Sequence, residues 1–301
     1  MQEILRNVAL RRMFFICTAA ILGLLLLFRL FVIGDPGNST VWNACASVTQ
    51  SAFATTFTTT LLGVFLFYIT PRTIDPTLLR ILPPRDLNAA FEQALRTATS
   101  WQFKGAFGRY LRSKVIPELS KRAREMHMDI QITGIILDPR DESLCGKHAE
   151  HRNGVVNVDR AKGWNAAAVQ DQLYATILVA QIAQRTTALL DIRLYLENNF
   201  SPSRLDRSTD LVLVTKEDRT APAILAYRGH YFYESYGNEF AVARSQAAEV
   251  PKTSIECGSG ALNSENAKDI LKNIELWDQK LDEDRLTKIC KLVNDNDNPY
   301  G

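Results

Sequence analysis

Histidine and cysteine are scarce in this chain, with four and five copies among 301 residues. The cysteines (Cys17, Cys45, Cys145, Cys257, Cys290) are scattered and form no Cys-x-x-Cys pair, which argues against a zinc ribbon or a disulfide framework. No GxxxxGK[ST] loop occurs, and no GxGxxG follows a strand, so the ordinary phosphate-cradling loops are missing. Gly258-Ser259-Gly260 lacks the strand-to-helix setting of a nucleophile elbow. No general base stands beside an activated nucleophile. Neither charge sign is in excess: 35 basic residues face 33 acidic ones, which gives no overall pull toward nucleic acid. Internal repeats and low-complexity tracts are absent as well. The sequence therefore offers no catalytic residue, no metal ligand set and no cofactor.

What it does offer is apolar length. Residues 13–33 carry one charge, Arg29, and as a helix would reach roughly 31 Å, the thickness of a bilayer core. A second apolar stretch, 44–69, follows after a short loop, 34–43. The expectation is a membrane hairpin of two transmembrane helices. Arg6, Arg11 and Arg12 precede the first span, and Arg72, Arg80 and Arg85 follow the second, while the loop has no Lys or Arg. By the positive-inside rule both termini are cytoplasmic, in a multi-pass membrane protein. Arg29 either snorkels outward from a plain anchor or meets a polar partner. The second span is rich in hydroxyls. Arg29, Ser47, Gln50, Thr55, Thr56, Thr59 and Gly63 are the expected oligomer or pore face of a homo-oligomer.

After a Pro-rich connector, 70–86, the pattern becomes that of an α/β domain over 87–250, with a helical tail over 251–301. Helices are expected at 87–99, 106–126, 142–152 and 166–184, and within 232–248. Strands are expected at 128–137, which is rich in β-branched residues, and at 189–196, 211–215 and 223–228, which alternate or run apolar. That order favours a mixed sheet flanked by helices.

The strongest local signal is a basic run. Lys104, Arg109, Arg112, Lys114, Lys121, Arg122 and Arg124 face one acid, Glu118. Arg109, Arg112, Arg122 and Arg124 are candidate ligands for anionic lipid or nucleic acid; the alternative is a solvated helix face. The interleaved aromatics Trp101, Phe103, Phe107 and Tyr110 suit core packing. His148 and His151 share a helix face beside Cys145, but Lys147 and Arg152 would repel a cation, so a structural role is expected. His127 and His230 are isolated.

Several pieces carry a resemblance: Lys104-Gly105, Arg109-Tyr110-Leu111-Arg112, Pro117-Glu118-Leu119, Ile135–Pro139, Cys145–Arg152, Arg204–Thr215, Pro222-Ala223-Ile224 and Tyr231-Phe232-Tyr233. Together they resemble, over about residues 1–250, the two-transmembrane effector proteins associated with retron reverse transcriptases in anti-phage defence. The arrangement also resembles half of a phospholipase D-like fold. That family uses His-x-Lys, and none of the four histidines here is followed two residues on by lysine. Arg204, Asp206 and Arg207 at the corresponding strand can bind an anion but cannot form a phosphohistidine. The resemblance thus implies a degenerate, non-enzymatic domain in a toxic effector of the bacterial inner membrane. It implies restraint by a reverse transcriptase with its RNA–DNA hybrid, then release to permeabilise the inner membrane in abortive infection. The alternatives are a membrane-tethered phosphodiesterase or nuclease, and a passive docking subunit.

Overall fold

The computed structural model describes residues 16, 18–24, 26–27, 40–69, 79–155, 163–218, 220–256 and 261–294. The chain divides into two units, Met1–Ile74 and Asp75–Gly301. In the first, α1 (Thr40–Ile69) is a single helix of 30 residues. The first expected span, 13–33, lies for the greater part outside the described residues, Arg29 among them.

Among the described residues no helix is long and apolar enough to cross a membrane. This overturns the expected two-span hairpin, and with it the multi-pass inner-membrane location with both termini cytoplasmic. The physical reason lies in the N-terminal part of α1, where Ser47, Gln50 and the threonines from Thr55 to Thr60 interrupt the apolar residues. Those threonines donate back to their own helix: Thr55 to Ser51 O (2.9 Å), Thr56 to Ala52 O (2.8 Å), Thr59 to Thr55 O (2.8 Å) and Thr60 to Thr56 O (2.7 Å).

The second unit is an α/β fold built on one eight-stranded mixed sheet. Its strands are β1 (Arg80–Leu82), β2 (Ser100–Lys104), β3 (Ile130–Leu137), β4 (Leu190–Glu197), β5 (Ser203–Ser208), β6 (Leu211–Lys216), β7 (Ala223–Tyr227) and β8 (Ala248–Glu249). They lie in the order β1-β7-β6-β5-β2-β3-β4-β8. β2, β3 and β4 run parallel, with Trp101 beside Ile132 and Ile132 beside Ile192. The remaining pairings are antiparallel.

Between the strands run α2 (Pro84–Thr97), α3 (Ile116–Met126), α4 (Glu142–Gly154), α5 (Ala166–Thr186) and α6 (Tyr231–Gln246), and the chain continues into α7 (Ser264–Asn273) and α8 (Glu283–Asn294). Alternation along β3 decides the layers. Ile130, Ile132 and Ile136 join one large core with Leu119 of α3 and Leu173 and Ile177 of α5. Ile135 points the other way and packs with Tyr195, Leu205 and Val212 under Tyr233 and Phe240 of α6. The tail belongs to the large core, to which it contributes Ile270, Leu271, Leu286 and Ile289. α5 buries side chains around most of its circumference because the sheet lies on one flank and the tail on another; Arg285 of α8 holds Asp171 of α5 at 2.6 Å.

Candidate functional site

The chain leaves β2 at Lys104 and turns through Gly105-Ala106-Phe107-Gly108 into a helical stretch beginning at Arg109. Gly108 has φ +67°, the left-handed region that costs a side-chain-bearing residue energy. At Gly105 a Cβ would stand 2.9 Å from Phe103 Cζ and 3.4 Å from Arg204 Cγ, so the backbone there needs glycine for closeness. Three bonds pin the turn: Gly105 N donates to Ile135 O (3.1 Å), Leu137 N to Ala106 O (3.0 Å) and Thr176 Oγ1 to Phe107 O (2.6 Å). A π-helical turn, Leu111–Val115, then leads into α3; such bulges recur at functional sites. β2 is also where parallel pairing gives way to antiparallel pairing, because β5 lies on its other side. In open α/β sheets, ligands occupy the crevice beyond the carboxyl end of a strand at a topological switch point.

A cavity of about 100 Å³ lies at this end of β2, well above the ~10–15 Å³ that one water requires. Phe103, Phe107 and Tyr110 wall it, and Arg109, Arg152, Arg204 and Lys216 line it together with one carboxylate, Glu217. Cross-strand register brings these residues together: Lys104 pairs with Leu205, and Ser203 with Lys216, so the ends of β2, β5 and β6 coincide.

Aromatic faces hold two of the arginines. The Arg204 guanidinium lies 5.0, 5.4 and 5.1 Å from the rings of Phe91, Phe103 and Tyr110. Its Nε donates to Asp206 Oδ2 at 2.5 Å, and Trp101 Nε1 donates to the same carboxylate at 3.2 Å. Arg152 sits 5.0 Å from the Phe107 ring and 4.2 Å from that of Trp164, and those two rings are themselves stacked. Each cation–π contact contributes about 0.5–2 kcal/mol and, more to the point here, fixes where the charge sits.

Glu217 completes the wall. Its Oε1 lies 2.7 Å from His148 Nε2, and its Oε2 lies 3.6 Å from Arg152 Nη1. His148 is fully buried, with its ring edge-on to Phe107 and Phe200. Burial pushes the Glu217 carboxyl up, but the His148 hydrogen bond and the charges of His148, Arg152 and His151 outweigh it, so the net shift is downward. Asp206 moves the other way: complete burial raises it against the opposing Arg204 and Trp101 bonds. Burial also raises Glu197, with Lys104 at 3.7 Å opposing.

The basic run is not a shared face. Of its four candidate arginines only Arg109 reaches the cavity. Arg112 is buried and donates to Gln172 O (3.0 Å), Gln172 Oε1 (2.8 Å) and Thr176 Oγ1 (3.2 Å). Arg122 donates to the carbonyls of Leu95 and Arg96, covering the end of α2. Arg124 donates to Thr187 Oγ1 at 2.9 Å. Arg204 and Arg207 also part company, because three residues along a strand put them on opposite faces. Arg207 turns toward α6, donating to Gln102 Oε1 (3.1 Å) and Tyr233 O (3.3 Å). Arg152, Lys216 and Glu217, which sequence reasoning did not place in the site, arrive from α4 and the end of β6.

Cys145 and His148 share α4, but Cys145 Sγ lies 3.8 Å from Asp138 O while His148 turns to Glu217. Burial, then the charges of Asp141, Asp138 and Glu142, push the Cys145 thiol up to about 12. Among the described residues no group of three or more His, Cys, Asp or Glu side chains is placed to hold a metal. On α1, Ser47, Gln50, Thr55 and Thr59 are exposed and Thr56 is half-buried; Gly63 falls in the same helix.

A larger cavity, about 370 Å³, lies between α2 and α3. Both signs line it, and it holds two exposed pairs at 3.9 Å, Arg96–Glu92 and Lys121–Glu125. Charges that already compensate one another make it the weaker candidate for an ionic ligand.

No protein-family model matches the chain, and no curated protein matches it either. Among solved structures, the chain is similar to TrmBL2, an archaeal chromatin protein described as showing a novel mode of DNA binding. Sequence identity is 9%, coverage is 70% of this chain and 68% of that one, and the TM-score is 0.34. At that score the likeness assigns neither fold nor function.

Proposed function

We propose that the Asp75–Gly301 unit is a binding module for a phosphate-bearing ligand, seated at the carboxyl end of β2. The observation that carries this reading is the convergence of Arg109, Arg152, Arg204 and Lys216 on one small cavity with a single carboxylate on its wall. Asp206 lies behind Arg204 and Glu217 beside Arg152, so acidic partners fix two of these cations in place. Guanidinium groups match tetrahedral oxyanions through paired N–H donors, and the aromatic rings hold two of them in position before a ligand arrives.

The reverse transcriptase with its RNA–DNA hybrid, implied by the family resemblance, enters this proposal as one source of such a phosphate. In that setting the domain would be the sensing part of a defence effector.

The test is calorimetric titration of the full chain with inorganic phosphate, beside Lys216→Ala. Lys216 ends β6 as an exposed residue, so its loss should leave the fold intact. Saturable binding by the parent chain, weakened at least about fivefold in the variant and weakened further by added salt, supports the reading. Absence of binding at millimolar phosphate contradicts it.

A further inference from the structure

We infer that α1 pairs in parallel with the α1 of a second copy of this chain, along the seam Ser47, Gln50, Ala54, Phe57, Leu61 and Val64. These positions advance by three and four residues in turn, a period of 3.5. All six are exposed, with Phe57 at 50%, Leu61 at 56% and Val64 at 37%. A period of 3.5 keeps one stripe turned toward a helix that carries the same repeat, as the two wind around each other. A neighbouring stripe of α1 is already covered: Thr49 is buried, and Ala46, Phe53, Thr56 and Thr60 are half-buried. The seam lies about 100° around the helix from it, so one helix carries both stripes.

The absence of charge points to a second copy as the occupant. Thr40–Ile69 contains no Asp, Glu, Lys, Arg or His, so nothing on α1 repels its own copy and nothing attracts a charged partner. An identical helix also carries the matching repeat. Pairing takes Phe57, Leu61 and Val64 out of water, which is the driving force.

The direction follows from the seam's two unlike halves. Ser47, Gln50 and Ala54 are small or polar, whereas Phe57, Leu61 and Val64 are large and apolar. Antiparallel pairing would set Gln50 against Leu61 and bury its amide without a counterpart. Parallel pairing sets Gln50 against its own copy, where the two amides exchange hydrogen bonds. A polar residue at one seam position fixes the register in this way. The threonines play no part in recognition. The hydroxyls of Thr55, Thr56, Thr59 and Thr60 already donate to carbonyls of their own helix. Of the oligomer face expected from the sequence, the seam therefore keeps Ser47 and Gln50 and exchanges the threonines for Phe57, Leu61 and Val64.

Sedimentation of the full chain, of Leu61→Glu and of Leu62→Glu at equal concentration tests the seam. Leu61 and Leu62 are exposed alike, at 56% and 55%, and differ in the stripe they occupy. The parent chain and Leu62→Glu should sediment as two copies, and Leu61→Glu as one. Leu61→Cys tests the direction. Oxidised by glutathione disulfide, it should cross-link copy to copy several-fold faster than the parent chain, whose Cys45 lies off the seam. A parent chain that sediments as one copy or as more than two overturns the pairing. So does a Leu61→Glu chain that keeps the parent's mass, or a Leu62→Glu chain that loses it. Cross-linking of Leu61→Cys no faster than the parent's overturns the parallel seam, even if the glutamate variant does not fold.

Discussion

His148 Nε2 and Glu217 Oε1 meet at 2.7 Å across 69 residues of sequence, joining α4 to the end of β6 at the rim of the cationic cavity. The histidine is fully buried and the glutamate mostly so, and the carboxylate also pairs more loosely with Arg152 at 3.6 Å. Removing the imidazole would leave Glu217 with a desolvated charge and open a hole between Phe107 and Phe200. His148→Ala should therefore lower the unfolding free energy by about 2–4 kcal/mol. Chemical denaturation should show a shifted midpoint with an unchanged slope. A loss below about 0.5 kcal/mol would remove this pair from the account.

The same carboxylate sets a pH dependence. Its folded-state value lies below its ordinary 4.5, so in the folded chain it keeps its charge at acidities where the unfolded chain takes up a proton. Its contribution to stability is complete above the unfolded value and is lost as pH falls through the folded one. Stability curves of the parent chain and Glu217→Gln should accordingly run apart at neutral pH and converge as pH falls through the depressed folded-state value of the carboxyl, below its ordinary 4.5. Curves that diverge on acidification would show that the shift has the opposite sign.

Two glycines separate backbone need from backbone cost. Gly108 has φ +67°, and an added Cβ would lie 3.2 Å from Thr176 Cγ2, so Gly108→Ala should cost about 1–2 kcal/mol and weaken phosphate binding. Gly146 lies inside α4 with open space around an added Cβ, and Gly146→Ala should stabilise by about 0.5–1 kcal/mol. Thermal unfolding of the two variants checks both signs.

The tail is part of the same core. Ile289 on α8 is fully buried, so Ile289→Ala should cost about 2–5 kcal/mol, a core-sized loss. Denaturation that leaves the midpoint unchanged would mean that α8 is docked loosely.

Sequence patterning captured the strands whose residues are mostly apolar. β3 and β6 are rich in β-branched residues and β4 and β7 are largely apolar, and all four fall where the pattern puts them. β2 is hidden in the sequence because Ser100–Lys104 is short and carries Gln and Lys, so its aromatics share the spacing of the helix that follows; the glycines at 105 and 108 are what divide the two. β5, SRLDRS, looks too polar for a central strand, but Arg204 pairs with Asp206, Trp101 donates to the same carboxylate and Arg207 bonds Gln102 and Tyr233, so its polar side chains are satisfied inside the fold. The basic run misled for a related reason: guanidinium groups that satisfy carbonyls and hydroxyls inside the fold have the same sequence signature as groups waiting for a ligand. The apolar residues of α1 overstated the case for a membrane span there, since Ser47, Gln50 and the threonines from Thr55 to Thr60 lie among them. The cavity draws on residues from 103 to 217, and no spacing rule joins Arg109, Arg152, Arg204 and Lys216 before the sheet closes.

The central claim is a phosphate site at the end of β2, and amide chemical-shift mapping during phosphate titration tests it most directly. The account predicts saturable shifts concentrated at Gly105–Arg109 and at Arg152, Arg204 and Glu217. Shifts confined to the cleft between α2 and α3, or none at all, would contradict it.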